Sequence, residues 1–172
     1  MSGVRGVTDS EQIQMALFLS TTINKVDTKG RVSVPAAFRA SLVGQHFHGI
    51  AAIPSFKYPA IQCGGMDWME QLSSGVNAFD FFSDEHDTLT AALFSQTEQL
   101  SFDGEGRVIL PALLVQHANI NKEAAFVGRG PTFEIWEPQA FDKYQIEATQ
   151  KAAEQRLTLR PSAPPGIDGD KG

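Results

Sequence analysis

Cysteine is nearly absent. Cys63 is the single one in 172 residues, so no intramolecular disulfide can form and no CxxC metal site exists. Long apolar runs are missing as well. None approaches the ~20 residues needed to span a bilayer. The apolar stretch at 15–19 falls short of the ~7–15 residues of a signal-peptide core. These absences lead to the expectation of a cytoplasmic protein that meets no membrane. His46, His48, His86 and His117 show neither HExxH nor any other ligand spacing. No GxxxxGK[ST] loop occurs, and the GRG at 128–130 is too short to cradle a phosphate. Cys63 has no evident base partner. The chain therefore reads as a non-enzyme with no metal, no cofactor and no small-molecule substrate. Positive charge is scarce too. There are 14 Lys and Arg against 20 Asp and Glu, a net charge of −6, and an acidic chain repels phosphate on average.

The scarcity is uneven. From 58 to 106 there is no Lys or Arg, while nine acids occur. Residues 24–39, NKVDTKGRVSVPAAFR, hold Lys25, Lys29, Arg31 and Arg39 against Asp27 alone, a local charge of +3 that leaves −9 elsewhere. Two readings stay open at this point: a solvated acidic surface with scattered bases, or one basic face able to meet a polyanion.

What the chain does contain is a repeat. Residues 23–39 align without a gap to 99–115, INKVDTKGRVSVPAAFR over QLSFDGEGRVILPALLV, at an offset of 76. Asp27/Asp103, Gly30/Gly106, Arg31/Arg107, Val32/Val108, Pro35/Pro111 and Ala36/Ala112 are identical, where chance gives about one match in such a window. Each motif has a local physical reading. A strand-like run, 21–26 or 98–102, precedes the Asp. Asp-x-x-Gly is turn chemistry, with a carboxylate to accept turn N–H groups and a Gly for positive φ. The aliphatic runs 31–34 and 107–110 suit a second strand. Pro35 and Pro111 suit the first turn of a short helix. Two further strand-like runs follow in each half, at 49–54 and 60–63 and at 124–128 and 132–136, and then a helix bearing Trp68 or Phe141.

The organisation predicted is a flexible arm at 1–15, a first half at 16–76, a helical linker at 77–97, a second half at 98–160 ending in a long helix, and a disordered tail at 161–172. Ser83 is the expected N-cap of the linker helix, with Asp84, Glu85 and Asp87 in its first turn. One half has too few strands to close a core. The expected fold is α+β: two tandem repeats about a pseudo-two-fold axis, sharing a β-barrel and flanked by helices.

The paired Asp-x-x-Gly-Arg-Val-x-[Val/Leu]-Pro motifs, Phe18 ahead of the first, VGRG at 127–130 and FEIW at 133–136 resemble the MraZ family. The resemblance covers roughly 18–148 and places the chain in the AbrB/SpoVT-like swapped-hairpin superfamily, with two AbrB-like repeats. It implies a bacterial transcriptional regulator in the cytoplasm and nucleoid. Such a protein is expected to repress its own operon, in the division and cell-wall gene cluster, by binding short G-rich direct repeats of duplex DNA as a ring-shaped homo-oligomer. The sequence departs from the family pattern in three ways. Phe-x-Gly is here Phe18-Leu19-Ser20, residues 77–94 carry no arginine, and Val115 stands opposite Arg39. The resemblance therefore does not extend to a basic contribution from the second half.

The two copies act as an internal control. Residues that hold the shared fold should occur twice. Residues that only touch DNA need occur once. Asp27, Gly30, Asp103, Gly106 and Arg107 are thus read as turn and ion-pair residues. Lys25, Lys29 and Arg39, opposite Ser101, Glu105 and Val115, are read with Arg31 as the DNA-contacting set. Arg31 can serve both roles, because its guanidinium has five donors. The competing reading is an antitoxin-type AbrB-like protein-interaction module with little intrinsic DNA specificity.

Overall fold

The structure, a computed structural model, describes residues 16–156. The expected arm at 1–15, the tail at 161–172 and the expected helix end near 160 lie outside the described residues.

The first half runs β1 (Thr21–Lys25), β2 (Arg31–Ser33), α1 (Ala36–Ser41), β3 (Gly49–Pro54), β4 (Ala60–Gly64) and α2 (Met66–Val76). The linker holds α3 (Asp84–Leu89), which continues into a π turn at Thr90–Phe94. Ser83 caps α3 by accepting from the His86 N–H at 3.1 Å. The second half repeats the order with β5 (Glu98–Ser101), β6 (Arg107–Ile109), α4 (Ala112–Ala118), β7 (Glu123–Gly128), β8 (Phe133–Trp136) and α5 (Pro138–Glu154). Among the described residues, Gln139 to Arg156 form a compact unit of their own, in which the Phe141 and Tyr144 rings lie 6.3 Å apart. No helix among the described residues is long and apolar enough to cross a membrane.

Proline sets the length of β2 and β6. Pro35 and Pro111 stand immediately before α1 and α4, one position earlier than the expected first turn. Their carbonyls accept the first helical N–H groups: Phe38 and Arg39 at 2.9 and 3.0 Å, Leu114 and Val115 at 3.0 and 3.1 Å. Having no N–H, a proline cannot extend the ladder.

The strands interleave between halves. A six-stranded antiparallel sheet has the order β1-β7-β8-β4-β3-β5, and β2 pairs with β6 in a separate ribbon. Exchanging each strand for its repeat partner turns that order into its own reverse. Every edge pairing therefore crosses between halves: β1 lies on β7, β5 on β3, and β2 on β6. The sheet is open, with β1 and β5 at its edges, so the expected closed barrel is not formed. The cause is local. Cut to three residues each, β2 and β6 spend their pairing on one another and join the large sheet through one isolated bridge, Val26–Val32.

Between ribbon and sheet lies the core. Val32 opposes Val108 at the ribbon's centre, and both are buried with Val34 and Leu110. Removing a valine side chain from water contributes roughly 1.5–3 kcal/mol. Strand alternation then puts Arg31, Ser33, Arg107 and Ile109 on the outer face. Phe18, Phe38 and Phe133 pack edge-on or tilted in the core, with ring centroids 4.9–5.3 Å apart. Backbone bonds to Gly130 hold Phe18 there, the Phe18 N–H donating at 2.7 Å and its carbonyl accepting at 3.0 Å.

Gly106 is a constrained turn position. Its φ is +75°, and a methyl group built on it would come within 2.5 Å of Arg39 Cζ. Gly106→Ala should destabilise the fold by about 1–3 kcal/mol in urea titrations. Gly104→Ala, with nothing within 4 Å, should change little. Equal effects at the two positions would contradict this account of the turn.

Candidate nucleic-acid interface

Two nearly superposable turns form the ends of the ribbon. In the first, Asp27 Oδ1 accepts the backbone N–H of Lys29 at 2.9 Å and of Arg31 at 2.8 Å, while Oδ2 meets Arg31 Nε at 2.6 Å. In the second, Asp103 Oδ1 accepts Glu105 and Arg107 N–H, both at 2.9 Å, and Oδ2 meets Arg107 Nε at 2.8 Å. Gly30 at φ +80° and Gly106 turn the chain back, donating to the Asp27 and Asp103 carbonyls at 3.0 and 3.1 Å. Each carboxylate thus orients the guanidinium four residues on.

The turns are alike in backbone and unlike in charge. Arg107 is held by two carboxylates, since its Nη1 also lies 3.5 Å from Glu105 Oε2. At the matching place in the first turn stands Lys29, which repels a guanidinium. The Arg31 guanidinium is therefore bonded only through Nε, and its two Nη nitrogens have no protein partner among the described residues. These are the donors a guanine edge or a phosphate oxygen would need.

The remaining candidates occupy distinct places. Lys25 ends β1, exposed and opposite Glu123. Lys29 is exposed at the turn tip. Arg39 is half-buried on α1: its Nε donates to the Val34 carbonyl at 3.1 Å and its guanidinium covers Gly106 of the other half. Lys25, Lys29 and Arg31 belong to one hairpin, whereas Arg39 sits against the second turn. Arg107 shares the ribbon's outer face with Arg31, diagonally across the register, so its placement is compatible with more than turn support. The aliphatic Val108 and Leu110 on either side of Ile109 are the sequence signal for that alternation. Asn24 is a further polar residue of the first hairpin. Its Nδ2 donates to the Ser33 carbonyl at 2.7 Å, tying β1 to the ribbon, and nothing in the motif signals it. The same holds for Glu134, a buried carboxylate that accepts from Trp136 Nε1 at 3.1 Å and lies 3.5 Å from Arg129 Nε. Beside this carboxylate, burial pushes the Cys63 thiol well up, and the Glu134 charge adds to it, so the thiol stays protonated.

The Arg31 backbone N–H, aided by its guanidinium and the Lys29 N–H, holds the Asp27 carboxyl below the usual range against the opposing pull of desolvation. The Arg107 backbone N–H does the same for Asp103, with the Glu105 N–H and the Arg107 guanidinium, and the pair raises Arg107 in turn. A carboxyl depressed in the folded state stabilises the fold above its unfolded value, near 3.8 here. That stability is lost as pH falls through the lower folded values. Wild-type chain should thus lose denaturant resistance on acidification below that point. Asp27→Asn/Asp103→Asn should start weaker at neutral pH and lose less to acid. Parallel pH curves for the two proteins would sink the assignment.

Residues 93–161 match the profile of a family described as "MraZ protein, putative antitoxin-like". The chain is 48% identical over 146 residues to the transcriptional regulator MraZ of Rickettsia felis, spanning 85% of this chain and 98% of that protein. The transcriptional regulators MraZ of Rickettsia bellii and Rickettsia conorii are 49% and 48% identical over 147 and 146 residues, with the same coverage. Similarity at this level runs over most of the chain and nearly the whole of each relative. The chain belongs to the MraZ family.

Proposed function

We propose that the chain is a sequence-specific DNA-binding transcriptional regulator that lays the β2–β6 ribbon and its first turn on duplex DNA. The observation that carries this reading is Arg31: clamped through Nε by Asp27, open at both Nη nitrogens, and flanked by exposed Lys25 and Lys29. A two-stranded ribbon fits the major groove, where Arg reads the O6 and N7 of guanine. In this reading Arg31 reads guanines, while Lys25, Lys29 and Arg39 neutralise phosphates and set the docking register. Asp27, Gly30, Asp103, Gly106 and Arg107 hold the two turns in shape. The name of the relatives, transcriptional regulator, supports DNA as the partner.

The architecture proposed is two AbrB-like halves, 16–76 and 98–160, in a swapped-hairpin arrangement, with a helical linker at 77–97, an arm at 1–15 and a tail at 161–172. The self-reversing strand order supports it. One +3 patch is a weak electrostatic anchor. Several copies in a ring, facing short G-rich direct repeats, raise apparent affinity through effective concentration. The regulator would repress its own operon in the division and cell-wall gene cluster, acting in the cytoplasm at the nucleoid. The family's description as antitoxin-like favours a second reading, a protein-interaction module. A stoichiometric protein partner, with no discrimination between operator and random duplex, would select it.

Labelled duplexes from the chain's own upstream region, titrated against random duplexes at several salt concentrations, test the proposal. Lys29→Ala should weaken binding to all sequences alike and reduce the salt slope by about 1. Arg31→Ala should cost roughly 1–3 kcal/mol at a guanine position and relax discrimination there. Unchanged discrimination in Arg31→Ala would remove Arg31 as a base reader.

A further inference from the structure

A cavity of about 560 Å³ opens between α1, the loop that follows it and the second turn. Its volume lies within the range of ordinary small-molecule sites. Leu42, Phe47 and Phe102 supply apolar and aromatic wall, and Val43, 84% exposed, stands at the rim. Arg39 lines it as the cavity's cation. Its Nε bond to the Val34 carbonyl fixes the guanidinium plane, and its Nη nitrogens have no protein partner among the described residues. The one carboxylate of the lining, Asp103, is already committed to the Glu105 and Arg107 N–H groups and to Arg107 Nε. A half-buried guanidinium with free donors, beside aromatic wall and without a free acid, is a receptor for an anion on an apolar body.

The second half builds the matching helix without an arginine at this place. Val115 occupies the corresponding place in the second half and packs against the core. Both α1 and α4 form from the same Pro-Ala start. What Arg39 adds is specific to one half.

We propose that this cavity binds a small molecule carrying a carboxylate or phosphate on an aromatic or branched apolar group, and that Arg39 is its anion receptor. The proposal rests on the DNA-binding reading only in that Arg39 was there assigned to a phosphate. A ligand anion and a DNA phosphate present the same chemistry to it. A ligand that seats on Arg39 competes for that cation, so it weakens DNA binding. It also contacts the side chain that covers Gly106 of the second turn.

The test uses the full chain and NMR titration of the Arg39 Nε–H and Gly106 amide resonances. Phenyl phosphate and benzoate are the aromatic anions, inorganic phosphate the bare anion and benzyl alcohol the neutral control. Both aromatic anions should shift the two resonances saturably, about tenfold or more tighter than inorganic phosphate, while benzyl alcohol should not. Arg39→Val copies the second half and should weaken the aromatic anions about tenfold. Val43→Asp places an acid at the rim of an exposed site and should weaken them without touching Arg39, so the test survives if Arg39→Val fails to fold. Phenyl phosphate should also lower the affinity of wild type for an operator duplex. Arg31→Ala should keep probe binding, so failure of the DNA reading and failure of this one are told apart. Inorganic phosphate binding as tightly as phenyl phosphate would leave only a DNA phosphate contact and overturn the proposal. Equal binding of benzyl alcohol, or unchanged binding in both variants, would overturn it too.

Discussion

Two reciprocal backbone hydrogen bonds lock the ribbon that the rest of the molecule is built around. The Val34 N–H donates to the Gly106 carbonyl at 3.1 Å, and the Leu110 N–H donates to the Gly30 carbonyl at 2.9 Å. Each turn thereby supplies the acceptor that the other half's strand needs. A buried backbone N–H without a partner costs about 1–3 kcal/mol, so neither half can settle its strand alone. Between these bonds Val32 and Val108 are driven inward, and the alternation of side chains then forces Arg31 and Arg107 outward. The same contact closes the core and aims the candidate interface.

On that shared scaffold the two halves diverge in charge. In the repeat Lys29 aligns with Glu105, Lys25 with Ser101, and Arg39 with Val115. The consequences are local and opposite in sign. Glu105 draws in the Nη1 of Arg107, while Lys29 leaves Arg31 open. A net charge of −6 therefore conceals one cationic hairpin on an acidic body. Repulsion from the rest of the surface restricts the orientations in which a polyanion can approach.

Much of this was legible along the chain because the signals are local. Asp-x-x-Gly-Arg specifies a turn through contacts within five residues. Proline ends a strand whatever surrounds it. The bounds of β3 at Gly49–Pro54 and the Ser83 cap follow from the same short-range rules. Repetition was legible as well, and it implied that strands must be shared between halves. The resemblance to MraZ rested on those same motifs.

By itself, then, the sequence determined the turns, the short strands, the helix starts and the uneven placement of charge, since each depends on neighbours in the chain. Only the tertiary structure decided that the large sheet stays open, that Arg39 lies over Gly106 of the opposite turn, and that Arg107 shares a face with Arg31. These are outcomes of pairing between segments 76 residues apart, and register across such a distance is set by which apolar faces must be buried together. The residue types fixed what each side chain could bind, and the packing of one half on the other fixed which of them were left free to do so.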